Sequence, residues 1–575
     1  MSKTPNYDSA VKKILDQLVP GERTCALTGE KWLMTEEEIG WYKKFNVPPS
    51  KYSPLTRRRL INANFVLFDI WYNYHAENNT PIISVIHPAS GIRVLPDKEW
   101  FRRDFTSAAY QYEVSRSFFD QLYELTRKVP MAASFNYLEP ENSIAFISLG
   151  DQDSYFVIAC KSKRTFYSSN AFEVEDGAEL ISVSNARNVY NVVRSQNIHN
   201  SLFVRESLEC SNCCFLFDCR DCEFCFGATN KRHAKYIWLN EQLDQKTWEE
   251  RRAEVDLSDS HTREEYEKKF QKLMDEAVWP ENFNINAENC TGEYIKDSTE
   301  IIDGYLVCSG SRNCEKVNHV HPTPCHDIYL GAGAVGSSDC YCGLGFGHSQ
   351  NAKYSLCVIN NCIDVEYCNG CYDCEHCFAC VGLRRKKFCI FNNQYSEEEY
   401  WKKLDELKTI MLSRGEYGEF PLMNFSGQYW KNSATVQMYG ADENICRALG
   451  VDFFEVSSSG AEGPDSQVVL SDLSEIESGD INSLANKVFF DTEARRRFRF
   501  LKPELQLYKQ LGIAPPRQHP TVRLAKLYNE LNFPLTKGSN CFACQKRIIV
   551  SENINHPMRK THCHSCYLKY LEENN

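Results

Sequence analysis

The sequence predicts a mainly β protein: a parallel β-helix or solenoid in two duplicated blocks with helical insertions, flanked by small α+β ribbon-like modules, the last a four-cysteine zinc ribbon. Three observations carry that expectation. Residues 221–243, DCEFCFGATNKRHAKYIWLNEQL, align without a gap on residues 373–395, DCEHCFACVGLRRKKFCIFNNQY. Pivots that are mostly polar or Cys recur at steps of mostly 11 or 12 residues, at Cys290, Ile302, Cys314, Cys325, Cys340, Asn351, Cys362 and Cys374, with short apolar pieces such as YLVC and FCIF between them. Near the end, two CxxC pairs stand 18 residues apart. Two pivot steps make a repeat of about 22 to 24 residues, the size of one β-solenoid coil.

The elements follow in order. Residues 1–24 form a helical arm, PNYDSAVKKILDQLVPG, with no apolar core of a secretory signal. No apolar run reaches about 18 residues, so the expectation is a cytoplasmic chain with no membrane partner. Residues 25–90 read as a degenerate ribbon-like module with a single Cys25, and 91–139 as a helical connector. The first solenoid block spans 140–240. A helical insertion at 241–284 contains HTREEYEKKF, with Thr262 and Glu265 as a capping box. The second block spans 285–394; its GAGAVGSSDC, 331–340, reads as a tight coil corner and not as a phosphate-cradling loop. Residues 395–451 open with SEEEYWKKL, where Ser396 and Glu399 form a second capping box. The acidic, Ser/Gly-rich segment 452–490 reads as a flexible linker or as a shield folded over the basic module 491–575.

The chain has 27 cysteines, an odd number that excludes complete internal pairing. Cys368, Cys371, Cys374, Cys377 and Cys380 fall at every third position. In a stacked coil the inward positions lie above one another, about 4.8 Å apart, and a protonated Cys is a small side chain suited to such a core. Ala228 stands where the second block has Cys380, an exchange that a core accepts and a ligand set does not. The Cys spacing of bacterial iron–sulfur clusters, with its trailing Pro, is not reproduced.

Metal chemistry is expected elsewhere. Cys541, Cys544, Cys563 and Cys566 have the spacing of a ribbon in which each knuckle gives two thiolates to one tetrahedral structural zinc ion. His562 and His564 flank the second knuckle. A weaker candidate is HVHPTPCHD, with His319, His321, Cys325 and His326 as ligands.

Net charge is −12, which argues against indiscriminate binding to nucleic acid. The charge is uneven: from Asp491 to Asn575 there are 15 Lys+Arg and 7 Asp+Glu. Within that tail, ARRRFRFLKPELQLYK interleaves Arg495, Arg496, Arg497 and Arg499 with aromatic residues. It reads either as a nucleic-acid surface or as an amphipathic helix with a solvated basic face. The tail also echoes the head: EEIGWYKKFNVPPSKYSPLTRRRL, 37–60, compares with PELQLYKQLGIAPPRQHPTVRLAKL, 503–527.

These motifs, with the block-closing CFACVGLRRKKFCIFNNQYSEEEY and the GEYGEFP that follows, resemble the uncharacterised cysteine-rich repeat proteins of candidate-phyla-radiation (Patescibacteria) bacteria. The resemblance implies ribbon-like modules at both ends of repeated coils. Tyr52–Leu55 and His519–Val522 depart from the family's Cys-Pro-x-Cys, so zinc is expected only in the final ribbon. The functional expectation is a non-enzymatic scaffold for an unidentified protein partner. The alternative is a protein that binds RNA, the ribosome or DNA through its basic tail, and a third reading is a carbohydrate-active β-helix enzyme.

Overall fold

A computed structural model describes residues 2–307, 318–320, 330, 361–455, 469–478 and 480–575. The chain divides into two compact units assembled from separated stretches: 1–66, 73–133 and 284–454 in one, 67–72, 134–283 and 455–575 in the other. The chain is rich in strands with interspersed helices. Among the described residues no helix is long and apolar enough to cross a membrane.

In the second unit a ten-stranded sheet runs from Ile144–Phe146 to Glu241–Gln242. All its pairings are parallel but the last, where Ile237–Trp238 turns back on Glu241–Gln242. Cys214 pairs with Leu202 on one side and Phe226 on the other, and Phe217 with Arg205 and Thr229. Single bridges add Arg220 with Leu208 and Arg232, and Glu223 with Ser211 and Lys235. Each of these partners lies 12 residues along the chain. The repeat is therefore one pivot step and not two, which corrects the expected coil of 22 to 24 residues.

A three-residue unit explains the shorter step. From Asn170 to Leu239 every third residue adopts a left-handed backbone conformation. The residue after it points inward, and the inward set includes Leu180, Val183, Val189, Ile198, Cys210, Cys213, Leu216, Cys219, Cys222 and Cys225. Left-handed φ is costly for most side chains and least so for Asn and Asp, which is why Asn185, Asn188, Asn191, Asn197, Asn200, Asn212, Asp218 and Asp221 occupy this slot. Their amides then bond along the stack: Asn185 donates to Asn197 at 2.6 Å and Asn188 to Asn200 at 2.8 Å. Gly227 takes the slot where a Cβ would meet Leu239 Cδ2 at 2.6 Å.

The inward cysteines do more than fill volume. Cys213 Sγ donates to the Ser211 carbonyl at 3.0 Å and accepts from the Cys225 N–H at 3.3 Å. Inward serines play the same part: Ser207 Oγ donates to the Arg205 carbonyl and accepts from the Cys219 N–H. Such narrow coils leave backbone groups facing the core, and small donor-acceptor side chains satisfy them. Burial holds the thiols of Cys160, Cys219 and Cys368 above their ordinary range, so they stay protonated.

The first unit repeats this arrangement. Val365 pairs in parallel with Cys377, and Cys377 with Cys389, before the strand Lys387–Ile390 turns back on Asn393–Gln394. Cys362, Cys368, Cys371, Cys374, Cys377, Cys380 and Cys389 are all buried in one core. The coil corner expected at 331–340 lies outside the described residues.

Helices follow each run of strands. Ser396 and Glu399 form the expected capping box on Glu397–Arg414. The helix Ser260–Glu276 instead starts earlier than expected. Asp259 is its N-cap, accepting from the Thr262 N–H, and Glu265 pairs with Lys269 at 2.7 Å. Asp is as good an N-cap as Thr, and Asp259 comes first along the chain. Phe270 of this helix packs on Phe215, and Tyr266 on Phe226.

Candidate metal centre

The strands Thr536–Asn540 and Arg547–Ser551 form an antiparallel hairpin, closed by a knuckle in which the Cys541 N–H bonds Lys546 O and the Gln545 N–H bonds Cys541 O. Gln545 is left-handed, as such a tight turn requires. The strand Lys560–His562 leads to Cys563, which N-caps the helix His564–Asn574 and donates its N–H to Cys541 Sγ at 3.2 Å. These elements bring the thiols of Cys541, Cys544, Cys563 and Cys566 within 4.8 Å of one another. Among the described residues no other group of three or more His, Cys, Asp or Glu comes that close.

The donor set fits a metal ion. Cys544 Sγ and Cys563 Sγ are 3.8 Å apart, the edge of a tetrahedron with metal–sulfur bonds of about 2.3 Å. Ile548 and Val550 bury Cys541 and Cys563 from behind. Burial would raise the Cys541 thiol, but the N–H groups of Cys544, Cys563 and Ala543 aimed at its sulfur bring it down to about 6. The Ser565 hydroxyl and the Cys566 N–H likewise lower Cys563. Cys566, donating to Cys544 and Cys563, is pushed up to about 12. His562 is buried against Phe542 and His564 is exposed; neither belongs to the quartet.

The module is bonded to the parallel sheet of its own unit. Lys560–His562 pairs in parallel with Val278–Pro280, the strand that follows the helix Ser260–Glu276. The Tyr567 hydroxyl donates to Asp218, and Arg232 donates to Tyr567 at 3.0 Å. The Asn575 side chain accepts from the Arg232 N–H and donates to Asn230 O. His556, with no exposed surface on its side chain, bonds Asp275 at 2.9 Å and packs on Trp279.

The same frame recurs without the quartet. At Cys25 a hairpin closes through Cys25 N–H to Glu30 O, Gly29 is left-handed, and the Ser53 N–H points at the Cys25 sulfur from the N-cap of Pro54–Asn62. The four ligand positions there hold Cys25, Thr28, Ser53 and Thr56. Advancing 466 positions gives Asp491, which accepts from the His519 N–H at 2.7 Å, with His519 as N-cap of Pro520–Tyr528. The same shift carries the knuckle at His75, where His75 N–H bonds Thr80 O and Asn79 is left-handed, onto that at Cys541. It also carries the buried set Glu38, Tyr42 and Arg57 onto Glu504, Tyr508 and Arg523. Tyr42 donates to Glu38 at 2.7 Å, and Tyr508 to Glu504 at 2.9 Å. The head–tail echo is thus longer than its sequence suggests; the spacing Glu-x3-Tyr with a downstream Pro-x-x-Arg was the signal that could have extended it.

The other candidates read from the sequence separate. Arg495–Arg499 lie in a hairpin, Phe489–Asp491 with Arg496–Phe498, and not in a helix, because Asp491 caps the turn by accepting from Glu493 and Ala494 N–H groups. Arg496 points inward, donating to Ile70 O at 2.7 Å and stacking on Trp71, while Arg495 and Arg499 are exposed and Arg497 half-buried. Of the weaker metal cluster, His321, Cys325 and His326 lie outside the described residues, and His319 is described only as backbone of the strand Asn318–Val320.

No protein-family model and no curated protein matches the chain. Among solved structures, one similar chain is assigned as an acetyltransferase from Desulfovibrio desulfuricans G20. It is 10% identical, with 42% of this chain and 57% of that one covered, at a TM-score of 0.10. A score that low carries no argument about fold or chemistry.

Proposed function

We propose that the chain is a non-enzymatic binding scaffold: two β-solenoid blocks of 12-residue coils, with a zinc ribbon fastened to the first. Pairing of residues 12 apart on four tracks, with one inward side chain in every three, supports the solenoid reading. The carrying observation is that the Cys541–Cys566 module bonds directly to residues of adjacent coils through Tyr567, Asp218, Asn230 and Arg232. An all-thiolate tetrahedral donor set favours zinc, and an ion with four protein ligands has no open position for activating water. A rigid stack offers a long lateral face for a partner.

The test is hydrogen exchange on the full-length protein with elemental analysis, before and after a strong chelator. One zinc per chain is expected, with chelation raising exchange in 536–575 and at 218–232. Exchange at 218–232 that ignores the metal would remove the fastening role.

A further inference from the structure

The ribbon that gathers the four thiols also presents a cationic outer face. Most arginines of its unit are held inward: Arg523 pairs with Glu179, Arg205 donates to Asn191, and Arg559 donates to Ser551 O and lies over Trp279. From Thr536 to Ser551, by contrast, the sequence has no Asp or Glu. Lys537, Lys546 and Arg547 are exposed, and none makes an ion pair among the described residues. Arg547 runs across Gly538, where a Cβ would sit 3.7 Å from its guanidinium, next to Lys537. Phe542, at the tip of the knuckle, is 59% exposed with its ring stacked parallel to His562, and Ile549 is 69% exposed. Strand alternation places Arg547 and Ile549 opposite Ile548 and Val550, which face the cysteines.

The frame itself does not demand these residues. The copy 466 positions earlier has Trp71, Ala76, Thr80 and Pro81 where the ribbon has Lys537, Phe542, Lys546 and Arg547. An exposed aromatic ring among cations, in a stretch free of acids, suits a strand with a repeating negative charge and accessible flat bases.

We infer that this outer face binds single-stranded nucleic acid, with Phe542 stacking on a base and Lys537, Lys546 and Arg547 contacting phosphates. The inference rests on the ribbon reading above and names the partner class for that module. It also moves the nucleic-acid surface away from Arg495–Arg499, where Arg496 is committed to packing.

Full-length, zinc-loaded protein would be titrated against fluorescein-labelled oligo(U) and oligo(dT), the matching duplex, polyglutamate and phosphatidylserine vesicles, with zinc counted in every variant. Single strands should bind best, with log affinity falling against log salt at a slope of about −2 for three phosphate contacts. Phe542→Ala should weaken binding about tenfold. Lys546→Gln with Arg547→Gln should flatten the slope to about −0.7, and Arg495→Gln with Arg499→Gln should change nothing. No binding at low salt, equal binding by Phe542→Ala, or a preference for duplex, polyglutamate or vesicles would overturn the inference. Those failures with zinc retained leave the ribbon reading intact; a protein that holds no zinc overturns that reading instead.

Discussion

The hairpin at Cys25 and the hairpin at Cys541 have the same backbone and opposite means of closure. At Cys541, four thiols stand at metal-binding distance. At Cys25, the Cys25 thiol bonds Thr56 Oγ1 at 3.4 Å, Thr28 bonds Thr56 at 3.4 Å, and Ser53 donates to Glu30 at 3.1 Å. The helices they cap differ most. Thr56 through Asn62 are all buried in Pro54–Asn62, whereas His564–Asn574 buries only Tyr567. The copy at His519 agrees with the first: its helix buries six of nine residues, and Cys is gone from its knuckles. Ligands are kept where the helix has little burial to hold it, and are dispensable where packing does that work.

The largest expected effect breaks the metal side of this comparison. Cys563→Ser should abolish zinc binding and unfold residues 536–575 locally, since the free energy of binding structural zinc, on the order of 10 kcal/mol, is folding free energy in such modules. Hydrogen exchange and metal analysis check it, with the parallel sheet above residue 218 unchanged. Next comes the packed side. Arg57→Ala strands the buried Glu38 carboxylate, which Arg57 approaches at 2.7 Å, and should cost about 3–5 kcal/mol in urea unfolding without altering zinc content.

Smaller effects sharpen the account. Cys371→Ala or Cys374→Ala should cost about 1–2 kcal/mol with no loss of metal, and Cys213→Ser should cost less than Cys213→Val because serine keeps the hydrogen bonds. His519 gives the smallest signal. Burial, with Arg496 and Arg523 nearby, holds its pKa well below the usual histidine value. The unfolded chain therefore takes up the proton first, so this contribution is complete above about pH 6.5 and declines below it, by up to about 1.4 kcal/mol per pH unit. Urea midpoints at pH 7.5 and 5.5 should fall further for the wild type than for His519→Asn.

Much of this was legible in the sequence because spacing along the chain is itself chemistry. The paired CxxC knuckles, the Ser396–Glu399 capping box and the duplication of 221–243 at 373–395 each rest on local residue patterns. The 12-residue step was not legible as such, because a period of three with a left-handed residue in each unit matches neither the helical period nor strand alternation. The inward roles of Arg496 and Arg57 were hidden for a different reason: burial of an arginine depends on partners such as Asp69 and Glu38, which lie far away in sequence. The copies at Cys25, His75 and Asp491 were obscured because their ligand positions had changed while the hydrogen bonds that hold the frame run through the backbone.

The most direct test of metal and packing as interchangeable closures is native mass spectrometry of the full-length protein grown with zinc. The wild type should carry one ion and Cys563→Ser none. Thr28→Cys, Ser53→Cys and Thr56→Cys together, completing four thiols with Cys25, should carry two. A wild type without zinc, or a triple variant that stays at one, would contradict the account.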